Sequence, residues 1–74
     1  MDISVKMSNS KDLVVGDTFI VVRNDSAQLL KLVGYADSKY EFYVDIFDFD
    51  IKKYKPYKKV KLNNSNVYTV KYTE

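Results

Sequence analysis

The densest group of chemically capable side chains lies in residues 52–61, KKYKPYKKVK, which contain six lysines, two tyrosines and one proline. A row of ammonium groups can follow phosphates while an aromatic ring stacks on a base, as the binding of single-stranded nucleic acid requires. Lysines and a proline also commonly protect exposed sheet edges, because they discourage pairing with another chain. The run therefore predicts either a polyanion-binding track or the guarded edge of a small sheet.

If residues 53–61 form an extended chain, alternate side chains share a face. The lysines at 53, 55, 59 and 61 then lie on one face with Tyr57 among them, and Tyr54 lies on the other. In a nucleic-acid complex these lysines would hold phosphates and the tyrosines would stack. In a protein complex Tyr54, Tyr57 and Lys55 would be contacts, with two upstream aspartates setting the orientation. The candidate binding residues are thus Lys53, Tyr54, Lys55, Tyr57, Lys59, Lys61, Asp48 and Asp50.

An acidic segment precedes the lysines: residues 41–50 carry four acids and no base, whereas residues 51–61 carry six lysines. Asp45, Asp48 and Asp50 could offer oxygen ligands to a hard cation, but their spacing lacks the glycine turn of a calcium loop. We therefore predict a solvated acidic face and no metal site. Across a hairpin the two segments would neutralise each other in part, and the acids would repel phosphates.

Several enzyme classes are excluded by composition, because the chain has no histidine and no cysteine. The commonest general base, the thiol nucleophile and the usual zinc ligands are all missing. Neither of the two glycines belongs to a phosphate-binding loop. We predict a protein that is not an enzyme and that uses no cofactor.

Tyrosine usage favours a protein partner over nucleic acid. The 74 residues contain seven tyrosines, more than a small core needs, and tyrosine is enriched at protein interfaces. Neighbouring acidic and basic segments would orient a specific partner, since complementary potentials steer docking. The prediction is a small binding protein, such as an inhibitor or modulator of a larger cellular machine. Single-stranded nucleic-acid or RNA binding through residues 52–61 is the alternative.

The elements that must position these residues follow a period of two, which is typical of strands. Alternating segments such as ISVKM and LVVGDTFIVVR are separated by polar breaks, and Asn24 and Asp25 suit a turn. Gly34 indicates a kink or bulge. The pattern predicts an all-β fold, a small five- to six-stranded antiparallel meander or barrel of SH3-like or OB-like kind. We expect a single domain over 1–74, with 1–11 as an edge strand or a loose arm.

Residues 38–55, SKYEFYVDIFDFDIKKYK, allow two interpretations. As a strand, the segment changes phase at Ile46–Phe47, which would require a bulge. As a helix near 39–54, it would begin with a capping box at Ser38 and Glu41 and give an α+β fold. Its aromatic and β-branched residues favour the strand.

The cellular setting is indicated only by composition. The N-terminal residues lack the pattern of a signal peptide, and the longest apolar run, Phe19–Val22, is too short to span a bilayer. Together with the lack of cysteine, this predicts a cytoplasmic protein with no membrane partner. Eleven lysines against one arginine are typical of AT-rich genomes, such as a low-GC bacterium or its phage. A homodimer formed by edge-strand pairing is a further expectation.

Overall fold

The computed structural model describes residues 2–36, 40–62 and 65–73, and these form one antiparallel sheet of seven strands. The all-β prediction is confirmed, with seven strands rather than five or six. The α+β alternative is wrong, because 41–48 and 53–56 are strands joined by a turn. The strands are β1 (Asp2–Asn9), β2 (Thr18–Arg23), β3 (Ser26–Tyr35), β4 (Glu41–Asp48), β5 (Lys53–Pro56), β6 (Val60–Lys61) and β7 (Asn66–Thr73), with a short 3-10 turn at Ser10–Asp12.

The strand order across the sheet is β1-β7-β2-β3-β4-β5, and β6 pairs with β4 on the same side as β5. Strands β2 to β5 form a meander of consecutive hairpins. The last strand, β7, lies between β1 and β2 and pairs with both. In the part of the chain that the structure describes, no helix has the length and apolar character needed to cross a membrane.

The β2–β3 hairpin closes with a two-residue turn at Asn24 and Asp25, between the paired residues Arg23 and Ser26. Both turn residues have positive φ, 47° and 66°. A two-residue hairpin favours this left-handed turn because its twist matches that of the strands, and Asn and Asp tolerate it better than most residues.

The one bulge among the described strand pairs lies in β3, where the register with β4 shifts between Leu32 and Gly34. Its position agrees with the prediction from the glycine. The predicted bulge at Ile46–Phe47 is wrong, because β4 pairs with β5 in one unbroken register through both residues. The apparent change of phase arises because the chain leaves the strand after Asp48 and turns.

A turn before β2 requires a glycine at position 16. The Asp17 amide donates to the Val14 carbonyl at 3.0 Å, and the Val14 amide donates to Oδ2 of Asp17 at 3.0 Å. Gly16, the third residue of this turn, has φ of +99°, which a type II turn demands at that position.

The core lies on one face of the sheet. Phe19 and Phe42 are its largest side chains, exposed by 0% and 2%. Full burial of such a side chain stabilises the fold by about 1.5–3 kcal/mol. Ser10 closes one end, since its hydroxyl donates to the Leu62 carbonyl and accepts from the Ser65 amide. The buried apolar residues are Leu13, Phe19, Val21, Leu30, Leu32, Phe42, Val44, Val60, Leu62 and Val67.

Candidate interaction surface

The lysine run forms an edge of the sheet. Strands β5 and β6 both pair with β4 on one side, and none of the described strands pairs with the opposite side of either. Pro56 ends β5, where its missing amide proton costs no ladder hydrogen bond. The edge interpretation of residues 52–61 therefore agrees with the structure.

The expected single face of lysines is wrong. Lys55 lies opposite Ile46, on the same face as the core, whereas Lys61 lies opposite Glu41, on the other face. The register with β4 changes by one residue between Pro56 and Val60. Because of this irregularity, odd-numbered side chains lie on the core face before it and on the opposite face after it. The structure thus separates Lys53 and Lys55 from Lys59 and Lys61 instead of joining them in one row.

Acidic side chains neutralise part of the basic edge, as the charge pattern predicts. Nζ of Lys55 lies 3.0 Å from Oδ2 of Asp48, and Nζ of Lys59 lies 3.3 Å from Oε2 of Glu41. Both lysines are about half exposed, so each pair adds little to stability.

Asp48 organises the turn between β4 and β5. Its Oδ1 accepts from the Asp50 amide at 2.9 Å and from the Ile51 amide at 3.4 Å. The hydrogen bond from Lys55, followed by that from the Asp50 amide, lowers the pKa of Asp48 below its ordinary value of 3.8. Asp48 therefore has a structural role in the turn, while Asp50 lies exposed at its tip.

The two candidate tyrosines have intramolecular partners. Tyr57 packs against the core, and its hydroxyl accepts from Nε2 of Gln28 at 3.1 Å. Tyr54 packs edge-on against Phe47, with ring centroids 5.1 Å apart, and Nζ of Lys31 lies 5.9 Å from its centroid. Both rings are half-buried, so neither is an open platform for a base.

The β4–β5 hairpin carries an apolar group that sequence reasoning missed. Phe47 contacts both Phe49 and Tyr54, at 4.9 and 5.1 Å between centroids. Phe49 is 68% exposed and Ile51 is 56% exposed. The amide hydrogen bonds that Asp48 accepts form a turn, and this turn places Phe49 and Ile51 at the tip of the hairpin. We call Phe47, Phe49, Ile51 and Tyr54 the hairpin cluster.

A second apolar surface covers the opposite side of the sheet from the core. Cross-strand partners continue it from β1 through β7 to β2: Met7 lies opposite Tyr68, which in turn lies opposite Ile20. Such a row of aromatic and aliphatic pairs stabilises the sheet, yet much of it remains in water. We call the β1, β7 and β2 part the outer face; its most exposed members are Ile3, Val5, Met7, Val22 and Tyr68.

One concave feature lies beside the lysine run. A shallow, open depression of about 180 Å³ lies between the β2–β3 turn and residues 57–60, with Gln28 and Tyr57 in its lining. It is smaller than the roughly 300–1,000 Å³ of ordinary small-molecule sites. Asp45 lies opposite Pro56, and among the described residues no three acidic side chains gather as metal ligands would.

Comparison of the chain with protein-family models, with curated proteins and with solved structures finds no match.

Proposed function

We propose that this chain is a non-catalytic protein-binding domain, and that the hairpin cluster is its docking site. The observation that carries the proposal is the exposure of Phe49 and Ile51 at the end of a hairpin whose aromatic base is packed. Apolar side chains held in water on an ordered turn cost solvation free energy, which a complementary partner surface would recover.

The chemistry around the cluster defines the partner. The tip also carries Asp50, while the exposed Lys52 and Lys53 follow it. A fitting partner presents an apolar pocket for Phe49 with acidic groups on the side that meets β5. Aromatic side chains at the centre of a contact, ringed by charges, are the usual arrangement of binding hot spots. By occupying such a pocket, the domain would act as an inhibitor or modulator of the protein that it covers.

The docking site can be tested with a substitution that leaves the turn intact. Phe49→Ala removes a largely exposed ring and its one edge contact with Phe47, so the fold should lose no more than about 1.5 kcal/mol of stability. The matched control is Val14→Ala, since Val14 is 57% exposed in the turn before β2. We expect a protein captured from the source cell by the wild type to be lost with Phe49→Ala and retained with Val14→Ala.

Titration calorimetry with the purified partner then compares the affinities of the wild type and Phe49→Ala. Loss of a hot-spot ring should weaken binding by about 30-fold or more, which corresponds to about 2 kcal/mol. Equal affinity of the wild type and Phe49→Ala would remove the hairpin cluster from the interface and refute the docking site.

Single-stranded nucleic acid is the competing proposal, supported by the concentration of lysines on one edge. Fluorescence anisotropy with random oligonucleotides at low and moderate salt distinguishes the two. Binding that weakens steeply with salt and is abolished by Lys59→Glu with Lys61→Glu, but not by Phe49→Ala, would replace the protein-binding proposal. Tyr57→Phe should leave either activity intact, because it keeps the ring that packs against the core and removes only the hydroxyl that accepts from Gln28.

A further inference from the structure

Strand β1 is an open edge with unusual exposure. Every residue from 2 to 7 is exposed, so neither face of this segment is covered. Among the described strands β1 pairs only with β7, and the outer side of its backbone meets no other strand. Natural edge strands are normally short, charged or interrupted by proline. Strand β1 has one lysine, Lys6, but it is eight residues long, has no proline and alternates Ile3, Val5 and Met7 on one face.

An edge of this kind can pair antiparallel with its own copy only in certain registers. Directly opposed residues of antiparallel strands point to the same face. Since Ile3, Val5 and Met7 share the outer face, a residue of odd number must oppose another of odd number. The two-fold axis must then lie midway between one residue and the same residue of the second copy. Near the middle of β1 this residue can be Ser4, Val5 or Lys6.

Charge and length select one of the three. An axis at Lys6 places two ammonium groups directly opposite each other, which is destabilising. An axis at Ser4 pairs only residues 2–6. An axis at Val5 pairs residues 2–8, places Ile3 opposite Met7 of the second copy, and sets no like charges directly against each other.

We propose that β1 binds a second copy of this chain by antiparallel edge pairing, with Val5 on the two-fold axis. The pairing joins two seven-stranded sheets into one and continues the apolar row of the outer face across the axis. It satisfies backbone groups on both edges and packs Val5 between Val70 of its own chain and Val5 of the second copy. The interface lies at the opposite end of the strand order from the hairpin cluster and does not rest on the proposed function.

Cysteine crosslinking tests the register directly, because the chain contains no cysteine of its own. Opposed residues have Cα atoms about 4.5 or 5.5 Å apart, within the range of about 4.4–6.8 Å that a disulfide spans. Under mild oxidation we expect Val5→Cys to form a crosslinked dimer at least about 10-fold faster than Ser4→Cys and Lys6→Cys. Val14→Cys, of similar exposure but outside β1, measures crosslinking by random collision.

Sedimentation of the wild type and of Val5→Pro, neither of which contains cysteine, measures dimer formation independently of crosslinking. The wild type should form dimers across the micromolar range. Val5→Pro should be monomeric, because proline removes a donor and obstructs the ladder, and circular dichroism checks that its fold is kept. A monomeric wild type at all concentrations would overturn the proposal, as would Ser4→Cys or Lys6→Cys crosslinking as fast as Val5→Cys.

Discussion

At the residue scale, several side chains that chemistry singles out have structural partners. Asp48 accepts two amide protons and an ammonium group, and the Tyr57 hydroxyl meets Gln28. The Tyr35 hydroxyl donates to the Leu13 carbonyl at 2.7 Å. Part of the tyrosine excess is therefore used inside the molecule. Composition could indicate how many such groups exist, but only the register decides whether they meet protein or solvent.

Asp48 should give the fold a measurable pH dependence. Its pKa is lowered in the folded state, so its contribution to stability is present above 3.8 and is lost as the pH falls through the folded pKa. Asp48→Asn keeps an oxygen acceptor for the turn and removes the ion pair, whereas Asp48→Ala removes both. Near neutral pH we expect stability to decrease in the order wild type, Asn variant, Ala variant.

Denaturant titrations of the three proteins at several pH values check this order. The gap between the wild type and Asp48→Asn should narrow below pH 3.8, because protonation removes the charge from the wild type. A gap that stays constant down to strong acid would show that the carboxylate charge contributes nothing.

At the element scale, alternation predicts the strands, whereas a turn and the facing of an edge segment differ from the prediction. The β3 bulge could be predicted because Gly34 interrupts an alternating segment. The β4–β5 hairpin could not be placed, because Asp48 to Lys52 continues the apolar alternation through a turn. Lys52 adopts a φ of 57° there, which side-chain type gave no reason to expect. The lysines do not share one face for a related reason, since one added residue between Pro56 and Val60 reverses every later face.

The two glycines should respond oppositely to the same substitution. Gly16 has φ of +99°, so Gly16→Ala places a side chain in left-handed backbone and should cost about 1–2 kcal/mol. At Gly34 an added Cβ meets no atom within 4 Å, and its φ lies outside the left-handed region. Gly34→Ala should therefore be neutral or stabilise by up to about 1 kcal/mol, because the unfolded chain loses freedom.

Urea unfolding of both variants at one protein concentration measures the difference. A loss of stability at Gly34 as large as that at Gly16 would contradict this account of the bulge.

At the scale of the whole molecule, large apolar side chains are divided between a closed core and two open surfaces. Three of the four phenylalanines show the division, since Phe19 and Phe42 are buried while Phe49 is largely in water. Sequence alternation predicted the strands but not the exposed apolar side chains on both edges of the sheet. Exposure depends on where the sheet ends, and strand order is not encoded in alternation.

The same substitution at two phenylalanines should separate stability from binding. Phe19→Ala should cost about 3–5 kcal/mol, a large share of the roughly 4–11 kcal/mol expected for a domain of this length. Phe49→Ala should cost no more than about 1.5 kcal/mol, because the ring is largely in water and loses only its edge contact with Phe47. Thermal unfolding followed by circular dichroism checks both, and a comparable loss at Phe49 would mean that its ring supports the fold.

The place of β7 between β1 and β2 has a consequence for how the protein comes to be folded. Its pairs with β1 join residues as far apart as Asp2 and Thr73, whereas β2 to β5 close through short hairpins. Contacts that are distant along the chain form slowly, since a large loop must close first. During synthesis the meander can assemble as it leaves the ribosome. Strand β1 can pair only after β7 has been made.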